Sequence, residues 1–145
     1  MQREWFFEKI KKYFSGSLAG KKIALWGISF KPNTDDIREA PSLYLAEEII
    51  KSGGTISAYD PEAISNAKQY YRGNNSIVFA GNMYECLDKA DALAIVTEWN
   101  IFRTPDFEKI KSLLNNPVIF DGRNLFEPAL VKENGLQYFP VGRKV

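Results

Sequence analysis

The sequence contains no histidine and only one cysteine among its 145 residues. Without histidine it cannot form a Ser-His-Asp triad, a histidine-ligated zinc site or an imidazole acid–base catalyst. The single cysteine, Cys86, excludes a disulfide framework and a cysteine cluster for a metal ion, and we predict no metal site. Cys86 falls within a predicted helix, with no clustered cations nearby that would activate its thiol, so we interpret it as a structural residue.

Long apolar runs are also absent. The longest spans about six residues, 23–28, whereas a helix needs roughly 20 apolar residues to cross a bilayer. The first residues do not show the pattern of a secretory signal peptide. These absences predict a soluble, cytoplasmic protein that does not partner a membrane.

The main body of the chain, after residue 22, has no large excess of either basic or acidic residues. The formal net charge is +1, but residues 1–22 carry six Lys or Arg and two Glu, which leaves 13 basic and 16 acidic residues in the remainder. The main body is therefore slightly acidic, and it does not provide the basic platform of a nucleic-acid-binding protein.

The residues that are present describe an ordinary globular chain, with 45% hydrophobic and 26% charged residues. The segment 3–14 has apolar residues at helical spacing, and Ser15, Gly16 and Ser17 then break the pattern. A short aromatic helix of this kind needs a surface to pack on. It either lies on this domain or forms the end of a longer helix, and a membrane surface is the alternative partner.

From residue 21 onward, strand and helix patterns alternate along the chain. Strands are predicted at 22–26, 55–59, 76–79, 91–96, 117–120 and 137–139, and helices at 41–52, 62–70, 83–89, 105–114 and 128–134. This alternation predicts a Rossmann-like three-layer α/β/α fold, with a mainly parallel sheet of five to six strands preceded by a short N-terminal helix. Ligands of open α/β sheets bind beyond the carboxyl ends of the strands, so the residues that follow strands are the functional candidates.

The loop after the first strand, residues 27–41, is the most informative of these segments. It has one glycine where a dinucleotide-binding fold shows Gly-x-Gly-x-x-Gly, and it lacks the Gly-Lys-Ser/Thr of a P-loop. It does supply two cations, Lys31 and Arg38, which suit a ligand that carries phosphate. The alternative is a solvated loop in which Asp35 and Asp36 pair with these cations.

Other strand ends supply further candidates with two interpretations each. Asp60 occupies the place of a ribose-binding acid, but the following Pro61 favours a helix N-cap. Arg123 follows Gly122 in a turn that suits a phosphate or a base edge, or is an ordinary turn. Trp99 could stack on a ligand ring, although core packing is the simpler interpretation.

Four segments carry a resemblance to a known family. In order they are Phe30–Pro41, Ala58–Pro61, Val96–Arg103 and Phe120–Asn124. Together they are similar to the motifs of the C-terminal domain of the UDP-glucose/GDP-mannose 6-dehydrogenase family, and the Thr-Glu-Trp and Asp-Gly-Arg-Asn forms most resemble its UDP-glucose branch. The resemblance implies that residues 17–145 are a nucleotide-sugar (UDP)-binding domain. It also implies that residues 1–16 end the helix that joins this domain to a central region.

The resemblance further implies an activity. Such enzymes oxidise the C6 hydroxyl of UDP-glucose to a carboxylate with two NAD per turnover. The family's NAD-binding domain and its central region, which supplies the catalytic residues and the homodimer contact, match nothing in this sequence. We therefore expect no catalytic residue here, an isolated domain that is inactive, and the remainder of a dehydrogenase chain as its partner.

Four residues match positions with roles in that family. Phe30 and Lys31 match the pair that contacts the substrate, and Arg123 matches the arginine that reaches the UDP portion. Arg38 matches the arginine that touches NAD across the domain cleft. The resemblance thus implies a substrate site of Phe30, Lys31 and Arg123, with Arg38 as the cofactor contact.

Two alternatives remain open at this level. The same domain occurs in dehydrogenases of GDP-mannose and of UDP-N-acetylhexosamines, so the sugar is not fixed. A free-standing flavodoxin-like module, such as a receiver domain, is a different class. It would carry an acidic pair directly at the first strand end, whereas Asp35 and Asp36 lie eight and nine residues beyond Gly27.

Overall fold

The computed structural model describes residues 3–141, and a six-stranded parallel sheet forms its centre. The strands are β1 Lys22–Trp26, β2 Thr55–Tyr59, β3 Ile77–Phe79, β4 Ala92–Ile95, β5 Val118–Asp121 and β6 Gln137–Pro140. They are arranged in the order β3-β2-β1-β4-β5-β6, and every neighbouring pair is parallel. This is the strand order of the Rossmann fold, so the predicted fold class is confirmed. The flavodoxin-like alternative is wrong, because in that order β1 would pair with β3, whereas here it pairs with β2 and β4.

In the part of the chain that the structure describes, five α-helices cover the two faces of the sheet. They are α1 Arg3–Tyr13, α2 Pro41–Lys51, α3 Ile64–Tyr70, α4 Phe107–Leu113 and α5 Pro128–Glu133. Buried side chains of α1, α2 and α3 belong to one core cluster, and those of α4 and α5 belong to a second. Within residues 3–141, no helix has the length and apolar character needed to cross a membrane.

The strands are apolar along their whole length because both faces of the sheet are covered. In β1, Ile23 and Leu25 point into the cluster under α1 to α3, while Ala24 and Trp26 point into the cluster under α4 and α5. The alternation follows from the two-residue period of a strand. A parallel sheet buried on both faces therefore needs the continuous apolar run by which β1 was predicted.

The N-terminal helix packs on this domain, which is one of the predicted placements. Phe6, Phe7 and Ile10 of α1 are buried in the same core cluster as α2. At the end of α1, the Tyr13 hydroxyl donates a hydrogen bond of 2.6 Å to Gln137 Oε1. The predicted division of the chain at residue 16 stays a prediction.

The helix predicted over 83–89 is wrong. Only a single 3₁₀ turn forms there, over Glu85–Leu87. The carbonyl of Met83 accepts the indole N–H of Trp26 at 2.8 Å instead of continuing a helical ladder. Lys89 then adopts a left-handed φ of 59°, which ends the turn. A contact from the first strand thus overrides the local helical pattern.

Candidate functional site at the carboxyl edge of the sheet

The first loop begins directly after β1 at Gly27, where any other residue would be strained. Gly27 has a φ of +97°, and a Cβ atom on it would lie 2.5 Å from Cβ of Thr97. Two chain segments therefore cross at this point with no room for a side chain. The crossing brings the first loop against the segment Thr97–Trp99, which follows β4.

Hydrogen bonds fix the path of the first loop. The amide of Phe30 donates to the carbonyl of Asp36 at 2.8 Å and closes the loop on itself. Asn66 of α3 donates to the carbonyl of Asp35 at 2.8 Å. At the loop's far end, α2 begins at Pro41, and the Ser42 hydroxyl donates to the carbonyl of Ile28 at 2.6 Å. The loop therefore presents its side chains from a defined backbone.

Asp60, directly after β2, is a buried structural carboxylate. Its Oδ2 accepts the amides of Ile28 and Ser29 at 2.7 and 2.9 Å. Its Oδ1 accepts the amides of Glu62 and Ala63 at 2.9 and 2.8 Å, which is the capping role predicted for it, although the regular helix α3 begins only at Ile64. A carboxylate has about four lone-pair sites, and all are used, so Asp60 has no capacity left for a ribose.

The segment after β4 ties the first loop to the rest of the edge. The hydroxyl of Thr97 donates to the carbonyl of Ser29 at 2.8 Å. The indole N–H of Trp99 lies 3.1 Å from both Ser29 Oγ and Asp60 Oδ2. Trp99 is 7% exposed and packs in a core cluster, so the packing interpretation is the one the structure supports.

Three of the four predicted residues lie on the first loop. Phe30 is 52% exposed, a large fraction for an aromatic side chain. Phe30 and Arg38 line one open cleft of about 450 Å³. Lys31 is exposed and, within residues 3–141, pairs with no carboxylate at salt-bridge distance. A cation and an aromatic face are thus both available to a ligand from solvent.

Arg38 is already paired within the loop. Its Nε and Nη2 donate to the two carboxylate oxygens of Asp36 at 3.0 and 2.9 Å. These hydrogen bonds lower the pKa of Asp36 to about 2. The Arg38 side chain is 87% exposed, so solvent screens the pair and it can open at small cost. The expected internal ion pair of this loop therefore exists for Arg38, while Lys31 is left outside it.

Arg123 lies on a second turn, after β5. The buried Asp121 shapes this turn: its Oδ1 accepts the amide of Arg123 at 2.9 Å and its Oδ2 accepts the amide of Leu125 at 2.7 Å. The Tyr138 hydroxyl of β6 donates to the same Oδ2 at 2.6 Å. The Arg123 side chain does not line the cleft of Phe30 and Arg38. It pairs with Glu98, whose Oε2 accepts its Nε–H.

The sequence interpretation missed the roles of Glu98 and Asp121. Glu98 lies three residues beyond the end of β4, at the edge where ligands bind, and that placement was a usable signal. Asp121 precedes Gly122 as Asp60 precedes Pro61, and an acid followed by a turn-forming residue predicts an Asx-type turn. The pairing of Glu98 with Arg123 joins two loops 25 residues apart and had no local signal.

Cys86 is inert in this fold. Its side chain is fully buried beside the 3₁₀ turn, and burial raises the pKa of its thiol to about 12. The thiol is therefore protonated at neutral pH and is not a nucleophile. Within residues 3–141, no three His, Cys, Asp or Glu side chains are grouped so that they could hold a metal ion.

The described residues do not fit a complete dinucleotide site. In a Rossmann-type site, the helix that follows the first strand must start at the end of that strand, so that the N-terminus of the helix faces the pyrophosphate. Here α2 starts at Pro41, after a loop that begins at Gly27. The acid that would bind a ribose, Asp60, is occupied by donors of the chain itself. The fold is shared with dinucleotide-binding domains, but the site is not.

Comparison with known proteins gives a family match. Residues 24–128 match the model of the UDP-glucose/GDP-mannose dehydrogenase family, UDP binding domain. The UDP-glucose 6-dehydrogenase of Pseudomonas aeruginosa is 42% identical over 98% of this chain and 32% of its own length. The chain thus spans about a third of the length of this relative and of the UDP-glucose 6-dehydrogenase of Rhizobium meliloti.

Solved structures agree with the fold. A UDP-glucose dehydrogenase from Pyrobaculum islandicum superposes with a TM-score of 0.75 at 24% identity, covering 94% of this chain and 28% of that one. An NDP-N-acetyl-D-galactosaminuronic acid dehydrogenase from Methanosarcina mazei superposes with a TM-score of 0.78 at 24% identity, covering 98% of this chain and 29% of that one. At this identity the superpositions support the α/β architecture alone.

Proposed function

Since the chain belongs to the UDP-glucose/GDP-mannose dehydrogenase family, we propose that it is the nucleotide-sugar-binding C-terminal domain of an NAD-dependent UDP-glucose 6-dehydrogenase. The complete enzyme would convert UDP-glucose and two NAD to UDP-glucuronate. The observation that carries the proposal is the pair of cations, Lys31 and Arg123, on two separate loops at the carboxyl edge of the sheet. That edge is where open α/β sheets bind their ligands, and a diphosphate needs cations.

Each predicted residue has a role in this proposal. Lys31 supplies an ammonium group that forms no salt bridge within residues 3–141, which suits a phosphate oxygen. Phe30 offers its half-exposed ring beside it, to cover the sugar or the nucleoside. Arg123 contacts the UDP portion with the guanidinium N–H groups that Glu98 does not use. The domain binds and orients the substrate and supplies no catalytic group.

The cofactor is assigned mainly to another part of the longer protein. NAD accepts the hydride in the oxidation, and the described residues do not form a site for it. Arg38 is proposed as the one residue here that reaches NAD across the cleft between domains. Its solvent-screened pair with Asp36 allows the guanidinium to exchange partners. The isolated domain is accordingly proposed to be inactive.

The identity of the sugar nucleotide is the finer part of the proposal. UDP-glucose is favoured because the relative from Pseudomonas aeruginosa, 42% identical to this chain, is a UDP-glucose 6-dehydrogenase. The alternative is GDP-mannose or a UDP-N-acetylhexosamine, since the family whose model matches this chain includes dehydrogenases of more than one sugar nucleotide. The proposal includes a homodimer of the complete enzyme, in the cytoplasm, serving polysaccharide biosynthesis.

Calorimetric titration of the 145-residue chain with UDP tests the proposal. We expect weak but measurable binding, and a loss of about 10- to 100-fold in Lys31→Ala and in Arg123→Ala, because each removes a charge-assisted hydrogen bond. Lys132→Ala removes an exposed cation from the last turn of α5 and serves as the matched control. A parent chain that does not bind UDP, or two site variants that bind as the control does, would refute the assignment.

A further inference from the structure

The side chain of Arg123 is fixed from two directions. Its backbone amide is held by the buried carboxylate of Asp121, and its Nε–H is held by Glu98. The side chains of Arg123 and Glu98 are only 29% and 22% exposed. An ion pair this far from bulk solvent is screened less than the pair of Asp36 and Arg38 on the first loop.

Glu98 itself stands on a rigid support. The residue before it, Thr97, is bonded through its hydroxyl to Ser29, and the residue after it, Trp99, is bonded through its indole to Asp60. The amide of Val96 donates to the carbonyl of Trp26 at 2.9 Å. The backbone that carries Glu98 is therefore held by the same contacts that hold the start of the first loop.

The pairing leaves part of the guanidinium available. Arginine has five N–H donors, and Glu98 takes the one on Nε. Within residues 3–141, the Nη groups of Arg123 donate to no acceptor in the chain. A planar fork held by its Nε edge presents its Nη edge in one orientation, which is the geometry that recognises a phosphate or a carbonyl.

We propose that Glu98 is a positioning residue, which fixes the guanidinium of Arg123 so that its Nη groups face the nucleotide. This inference rests on the proposed function. Through Thr97 and Trp99, the same three-residue segment also sets where the loop of Lys31 begins. The segment Thr97–Trp99 thereby determines the separation of the two binding loops.

The proposal and a simple count of charges predict opposite changes in nucleotide affinity when the charge of Glu98 is removed. A carboxylate beside a diphosphate repels it, so removal of the Glu98 charge would tighten binding if charge alone mattered. If Glu98 orients Arg123, its removal releases the fork and weakens binding instead. The sign of the change in affinity therefore distinguishes the two.

The test is the affinity of the 145-residue chain for UDP in Glu98→Gln, which keeps the shape of the side chain and removes its charge. We expect binding about 5- to 10-fold weaker than in the parent, a smaller loss than in Arg123→Ala, because the guanidinium is still present but is no longer oriented. Glu62→Gln, which removes an exposed carboxylate near the same edge, is the control and is expected to bind equally or more tightly. Thermal unfolding of each variant shows that the fold is intact.

The same substitution in a chain that already carries Arg123→Lys separates the positioning of Arg123 from any other effect of Glu98 on binding. In Arg123→Lys the planar fork is absent, so adding Glu98→Gln is expected to cause no further loss of UDP affinity. Glu98→Asp keeps the charge but shortens the reach, and it is expected to weaken binding in the Arg123 background. It also replaces Glu98→Gln in the comparison should that variant fail to fold.

Each outcome decides a point. Unchanged or tighter binding in Glu98→Gln, with binding still lost in Arg123→Ala, would overturn the role of Glu98 and leave the proposed function standing. A loss that persists in full in the Arg123→Lys background would also overturn it, because Glu98 would then act by another route. If the parent does not bind UDP at all, the proposed function fails and this inference fails with it.

Discussion

Two buried aspartates, Asp60 and Asp121, shape the two halves of the binding edge in different ways. Both stand at the carboxyl end of a parallel strand, and they are 1% and 0% exposed. Asp60 accepts five donors from three separate segments, and none of them belongs to the four residues predicted to contact substrate or cofactor. Asp121 accepts three donors, one of which is the amide of Arg123. Asp60 joins three segments of the scaffold, whereas Asp121 also positions the backbone of Arg123.

The residue after each aspartate accounts for the difference. Pro61 has no amide hydrogen and a fixed φ, and the chain makes a turn over residues 61–63, capped by Asp60, before α3 begins at Ile64. Gly122 keeps its amide, which donates to the carbonyl of Ile95 at 2.9 Å, and the chain makes a tight turn that carries the partly buried side chain of Arg123. Asp60 lies one residue beyond the end of β2 and Asp121 is the last residue of β5, and the residue that follows each acid differs with its role.

The largest effect expected from this comparison is the loss of stability when Asp60 is replaced. In Asp60→Ala, several buried amides lose their acceptor, so we expect the free energy of unfolding to fall by about 4 kcal/mol. Urea denaturation measures this. Asp88→Ala, at an exposed acid, is the control and is expected to change stability by less than about 0.5 kcal/mol. A cost in Asp60→Ala as small as that of the control would contradict the scaffold role.

A smaller loss of stability, coupled to a loss of binding, is expected at Asp121. Asp121→Ala removes three hydrogen bonds, and we expect a cost of about 2 to 3 kcal/mol together with weaker UDP binding, because the turn that carries Arg123 loses its support. Urea denaturation and calorimetry on the same sample measure both. If Asp121→Ala folds, is less stable and still binds UDP as the parent does, Asp121 does not support the binding turn and does not differ from Asp60 in this respect.

The smallest effect concerns the exposed ion pair of the first loop. Hydrogen bonds from Arg38 lower the pKa of Asp36 from 3.8 to about 2, so the pair's contribution to stability is present above pH 3.8 and is lost as the pH falls through about 2. Because the pair is exposed, this contribution is small. In Arg38→Ala, we expect the pKa of Asp36 to return toward 3.8 in a carbon-detected NMR titration. An unchanged pKa would show that the pair does not persist in solution.

Much of the fold follows from local pattern. The continuous apolar run of β1 and the position of Pro41 as the first residue of α2 predicted both elements with nearly their observed bounds. The strand at Gln137–Pro140, weak in sequence, is also confirmed. These features are local because burial on both faces and helix starts depend on residues close together in the chain.

Features that depend on distant contacts were not predictable in the same way. The segment 83–89 reads as a helix, but Trp26 takes the carbonyl that such a helix would use. The pairing of Glu98 with Arg123 depends on how the loops after β4 and β5 meet, which only the assembled sheet determines. Cations at strand ends could be listed from the sequence, whereas their partners could not.

A crystal structure of this chain with UDP bound tests the central claim most directly. The account predicts the diphosphate at the carboxyl edge of the sheet, with Lys31 Nζ and an Nη of Arg123 within hydrogen-bond distance of the nucleotide, and Glu98 still bonded to Arg123 Nε. A nucleotide bound elsewhere, or bound at this edge with Lys31 and Arg123 both turned away from it, would contradict the account.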